Sequence, residues 1–251
     1  MNSRRHIFAA ALLCAAFLAT ASTASATTRH SAAVDAKGHQ VLIEGTVVLV
    51  EPDVELSLVT AGGMSEPRQE WSEAARVALP AAIRRVLDAH QVQTLPDHDV
   101  PDDLDPDSQM GQIVRLNQAV ALSIAQFSMP NSTLATKKDA AGKPRLDWNL
   151  GEGVSVLREA TGADYALFTY VRDSYASGGR TALRALGFLA GAAMGSYLDI
   201  GGGLQIGVTT LVDLRTGQVV WFNLMSNQSG DLRDEDGARD TVEQILTGIP
   251  L

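Results

Sequence analysis

Cysteine is almost missing from these 251 residues, and the only one, Cys14, lies in an apolar stretch at the amino end. The remainder therefore has no disulfide, no thiol nucleophile and no thiolate metal cluster. Aromatic residues make up only 5%. No apolar run reaches the roughly 20 residues that a membrane-spanning helix needs. The common catalytic signatures are missing as well. There is no HExxH, no GxSxG, no phosphate-binding loop and no GxGxxG after a strand. Ser65 stands in Gly63-Met64-Ser65-Glu66-Pro67 and fails the nucleophile-elbow pattern. No Lys/Arg run interleaves with aromatics, and 20 basic residues face 29 acidic ones. Such a surface repels phosphate backbones, so no nucleic-acid partner is expected.

What is present begins with an export signal. Arg4 and Arg5 precede a short apolar region over 7–19, and Ala24-Ser25-Ala26 offers small residues for cleavage. Residues 1–26 are therefore expected to be a signal peptide, and Arg4-Arg5 also fits a loose twin-arginine pattern. Cys14 lacks the small residues before it that lipidation would want. Cleavage after Ala26 leaves 18 basic and 29 acidic residues, a formal charge of −11. The periplasm is the expected compartment, with the external medium as the alternative.

The rest, 45% hydrophobic and 20% charged over the whole chain, has an ordinary globular balance. Residues 27–40 are small and polar and are read as a flexible leader; 41–251 are read as one domain. Val47 to Val50 is rich in β-branched residues, and Val54, Leu56 and Leu58 alternate with Glu55 and Ser57, as a strand with one buried face would. Pro52 interrupts between them. Trp71, Ala75, Leu79, Ala82, Ile83, Val86 and Leu87 recur at helical spacing over 67–89, with Pro80 removing one backbone donor. A short strand is expected near 92–95. Asp107 or Ser108 caps a second helix through Phe127, and a third near 148–161 ends at Gly162. Tyr165 to Val171 is apolar on both sides and reads as a central strand. Ile206 to Leu214 and Gln218 to Leu224 form a hairpin turned at Arg215-Thr216-Gly217, and a helix near 235–247 closes the chain. The order predicts an α/β sandwich, a mixed sheet covered by helices.

Gly162-Ala163-Asp164 before the central strand, and Asp213-Leu214-Arg215-Thr216-Gly217-Gln218-Val219 in the hairpin, resemble the small α/β domain of the TolB amino-terminal domain and CsgG-type envelope lipoproteins. The resemblance covers 41–250 in order of elements. It implies a cell-envelope protein that binds, assembles or secretes, without enzymatic activity. Two departures stand out: the missing lipidation cysteine, and a glycine- and alanine-rich insertion over 178–203.

Within that insertion Gly187, Gly191 and Gly195 recur every four residues. On a helix they share one face and admit close backbone approach, as for self-association or peripheral membrane contact; the alternative is a helix packed within its own domain. An acidic loop carries Asp103, Asp105 and Asp107, oxygen ligands that suit calcium. Ser108 and Val114 stand where an EF-hand needs Gly and Glu, so that loop type is excluded; a solvated turn is the alternative. The function expected from these readings is an exported envelope protein that associates with a protein partner or itself. An exported hydrolase or a small-ligand or calcium-binding protein is the rival.

Overall fold

The computed structural model describes residues 27–35, 37–101, 103–127, 134–183, 203–226 and 229–251. Among them a mixed seven-stranded sheet is covered on both faces by helices, an α/β sandwich. The strands are β1 (Thr27–Ala32), β2 (Val47–Leu49), β3 (Asp53–Val59), β4 (Ser65–Pro67), β5 (Tyr165–Ala176), β6 (Gln205–Asp213) and β7 (Val219–Ser226). The labelled helices are α1 (Gln69–Ala89), α2 (Gln109–Phe127), α3 (Ser155–Thr161) and α4 (Glu235–Ile245). The sheet runs β1-β7-β6-β5-β3-β4.

Central β5 is the organising strand. Its first half pairs in parallel with β2 and its second half in parallel with β3, while β6 pairs antiparallel along its other edge. Val47 stands opposite Tyr165 but Asp53 stands opposite Tyr170. Three residues, Val50 to Pro52, therefore face two on β5. This bulge is where a proline, which cannot donate to the ladder, is tolerated. The outer edge of β2 is covered by 93–98: Val47 N–H donates to Gln93 O and Leu95 N–H to Val47 O, both at 2.9 Å.

Leu56, Leu167, Leu211, Trp221 and Met225 pack under α1 and α4 on one face. Val48, Phe168, Val212 and Phe222 pack under α2 and α3 on the other. The alternation in β3 thus places Val54 and Leu56 in the first core, and Ser72 Oγ of α1 receives Leu56 N–H at 2.9 Å. Helix α2 starts at the cap Ser108, whose Oγ accepts Gly111 N–H at 3.0 Å.

The residues that carry the family resemblance are turn-makers. Gly162 ends α3 with φ +75°, and the Asp164 carboxylate receives Thr46 N–H at 3.0 Å, tying the entry of β2 to that of β5. That hydrogen bond holds the Asp164 carboxyl below its ordinary range. Asp213 Oδ1 accepts Arg215 N–H at 2.7 Å, and Gly217 (φ +74°) lies so close to Gly151 that a Cβ there would meet its carbonyl.

Two segments depart from the sequence expectation. Residues 27–32 are not a free leader: they form β1, antiparallel to β7 from Thr27 opposite Ser226 to Ala32 opposite Trp221. Main-chain pairing supplies what their small polar side chains do not advertise. Residues 148–151 are not helical. Asn149 donates to Thr216 O and accepts from Gly151 N–H, docking the chain beside the hairpin, and Gly151 takes φ +78°. Helical turns follow at 152–161.

Candidate functional site

Helix α2 covers only part of its face of the sheet. Beside it lies a groove of about 260 Å³, floored by apolar residues including Val50, Phe168, Val208 and Ala121. It exists because β3 turns its polar alternation, Asp53 and Glu55, to this side, while the bulge before it ends the β2 ladder. The groove-facing row of α2 is Val114, Gln118 and Leu122, spaced four apart on one face. Leu122 is 61% exposed.

The polar rim is closed upon itself. Arg172 Nη2 pairs with Asp53 Oδ1 at 2.8 Å, and Arg172 Nη1 donates to Asp53 O at 3.1 Å. Gln118 Nε2 donates to Asp53 Oδ2 at 3.0 Å. The guanidinium stands 4.0 Å over the Tyr170 ring. Deeper, Thr210 Oγ1 donates to the buried Asn117 Oδ1 at 2.9 Å, and Glu51 Oε2 accepts Val100 N–H at 2.9 Å. Both carboxylates, the guanidinium and both amides thus have partners within the chain. The arrangement is suited to recognition by shape and apolar contact, with polar orientation at the rim. Among the described residues it holds no activated nucleophile beside a base.

On the opposite face a second polar assembly is buried. Asp173 is 2% exposed. Its Oδ2 accepts from Tyr175 Oη at 2.5 Å and from Gln205 Nε2 at 2.8 Å. Tyr175 Oη in turn accepts Leu232 N–H at 2.8 Å, and Gln205 Oε1 accepts Ser229 N–H and Oγ–H, both at 2.9 Å. Asp231 pairs with Arg233, whose guanidinium lies 4.0 Å over the Tyr175 ring. Burial, followed by the Asp231 charge, pushes the Asp173 carboxyl up to about 6 against the pull of its hydrogen bonds. Burial and the adjacent Asp173 also raise the Tyr175 hydroxyl. Asp173 is sealed under the loop that leads into α4. It fastens that loop to the sheet and is closed to a substrate.

Gly187, Gly191 and Gly195 lie outside the described residues. Asp103, Asp105 and Asp107 lie on the exposed loop before α2. Asp105 Oδ1 accepts Asp107 N–H at 2.9 Å, and its carbonyl accepts Ser108 Oγ–H at 2.6 Å, so this residue shapes the turn into the helix. Among the described residues no group of three or more His, Cys, Asp or Glu side chains is placed to hold a metal ion. No described helix is long and apolar enough to cross a membrane.

Asp53, Asn117, Gln118 and Arg172 were not picked out by motif. Their signal was present as interruption: Asn117-Gln118 breaks the apolar row of α2, and Arg172-Asp173 ends the apolar run of β5.

Neither a protein-family model nor a curated protein matches this chain. Among solved structures it is similar to the PelC dodecamer from Paraburkholderia phytofirmans, at 11% identity and a TM-score of 0.39, over 90% of this chain and 97% of that one. A variant of the same PelC dodecamer in another crystal form gives 10% identity and a TM-score of 0.36, over 90% of this chain and 98% of that one.

Proposed function

We propose that this chain is an exported cell-envelope protein, of the TolB and CsgG-type kind its turn motifs resemble, that works by binding and not by catalysis. Its partner in this reading is another copy of itself, docked on the α2 groove. The observation that carries it is the exposed Leu122 beside an apolar floor, within a rim whose polar groups are already satisfied. Such a surface gains from being covered by apolar side chains, and a covering partner need not strip any unpaired charge of water. The leader and the periplasmic address rest on residues 1–26.

The test is the mass of the purified mature protein in solution. Sedimentation equilibrium should give a defined oligomer, and Leu122→Glu should shift it to monomer while leaving the melting temperature of the protomer within about 2 °C, because an exposed side chain contributes little to the fold. A wild-type chain that stays monomeric at about 100 µM, where assembly is favoured by mass action, would overturn the reading.

A further inference from the structure

Lysine and arginine are outnumbered over the whole chain, yet four of them surround one pocket. Residues 137–145 fold back on themselves as a short hairpin. Asp139 Oδ1 accepts Ala141 N–H at 2.9 Å and Lys143 N–H at 2.8 Å, Gly142 takes φ +79°, and Arg145 N–H donates to Lys137 O at 2.8 Å. This turn sets Lys137, Lys143 and Arg145 around an opening whose other side is Arg29 of β1. Trp148 and Phe127 supply apolar wall, and the pocket measures about 350 Å³.

Lys137 is held in place by groups that do not neutralise it. Lys137 Nζ donates to the Asp147 carbonyl and stands 4.8 Å from the Trp148 ring centroid, which fixes its position without cancelling its charge. Arg145 pairs with the Asp147 carboxylate. The Asp139 carboxylate is taken up by the turn. Among the described residues no carboxylate pairs with Lys137 or Lys143. Positive charges gathered at one opening repel each other and raise the local concentration of anions, against the trend of the rest of the surface.

We infer that this pocket between β1 and the 137–145 hairpin binds a small anion carrying two or more oxyanion charges, with Lys137, Lys143, Arg145 and Arg29 as the recognising groups and Trp148 as its wall. The site lies apart from the α2 groove and does not depend on the self-association proposed there. Phosphate and carboxylate ligands share this chemistry, and the test separates them. The purified full mature protein is titrated with inorganic pyrophosphate and, separately, with citrate at constant ionic strength. Heat and tryptophan emission are followed together, because an anion drawn to Lys137 changes the field on the Trp148 ring.

At least one probe should bind saturably below about 10 mM, with affinity falling as salt screens the pocket. Lys143→Gln should weaken that binding about ten-fold, the loss of one charge-assisted hydrogen bond; only the backbone of Lys143 holds the hairpin, so this variant keeps its fold. Lys137→Gln should act likewise. Arg85→Gln, on α1 across the sheet, should change nothing. Tighter binding of pyrophosphate than of citrate identifies a phosphate ligand, and the reverse identifies a carboxylate one. No saturable signal from either probe, or binding that Lys143→Gln and Lys137→Gln leave intact, overturns the inference.

Discussion

Asp173→Asn is expected to gain about 3 kcal/mol on the wild type between pH 4 and pH 7.5. In the wild type the folded carboxyl titrates near 6 while the unfolded one titrates near its ordinary value of 3.8. Between those values the folded chain holds a proton that the unfolded chain has already released. Stability from this group is therefore full at low pH, falls as pH rises from about 4 to 6, and is flat above. The cost of ionising it inside the fold reaches about 3 kcal/mol at neutral pH, taking about 1.4 kcal/mol for each pKa unit.

The groups that face Asp173 are Tyr175 on its own strand, Gln205 on β6, and Asp231 and Arg233 on the loop above. Asparagine keeps an oxygen to accept from Tyr175 and Gln205 and never ionises. Its amide replaces Asp173 Oδ1, a buried atom without a hydrogen-bond partner among the described residues, so a constant penalty is added at every pH. The slope of the difference between variant and wild type is the measurement. Urea unfolding of both proteins at pH 4, 5, 6 and 7.5 should show the variant gaining steadily on the wild type up to pH 6. Parallel curves would show that Asp173 folds in its ionised form.

Gly237→Ala is the second large effect, and its sign is opposite. Asp234 caps α4 by accepting Gly237 N–H at 2.7 Å, and the first turn of the helix is pressed onto the chain at Gly230 and Asp231. A Cβ at Gly237 would fall on the Asp231 backbone, which cannot rotate aside as a side chain does. The helix would have to lift, and the loop from Ser229 to Leu232, with its bonds to Gln205 and Tyr175, would lift with it. Overpacking of this kind costs about 3 kcal/mol, a fall in melting temperature of about 6–12 °C for a chain of this size. Gly142→Ala is the control, because a Cβ there meets nothing and only the left-handed backbone resists, at about 1 kcal/mol. A Gly237→Ala protein that melts no lower than the Gly142→Ala protein would mean that α4 does not dock as described.

The elements were legible wherever side-chain pattern and burial coincide. β5 is apolar on both sides because it has helices on both sides, and β3 alternates because one face meets α1 and the other the groove. Ser108, Gly162 and Gly217 marked their turns because turn chemistry is local. β1 was hidden, since its place is fixed by main-chain hydrogen bonds to β7 that any residues would make. The groove was hidden for another reason. Asp53 meets Arg172, and Asn117 meets Thr210, across long stretches of chain, and no local spacing records such meetings. The basic pocket was hidden in the same way: Lys137 and Lys143 are close in the chain, but Arg29 joins them only through the sheet.

That same pairing of β1 with β7 sets the order in which the molecule can be finished. Among the described strands the first in chain order pairs with the last, so the outer edge of β7 stays open until β1 closes onto it. Closing so long a loop is slow relative to local steps. During that interval β7 shows a free edge, which any extended segment can borrow until its own strand returns.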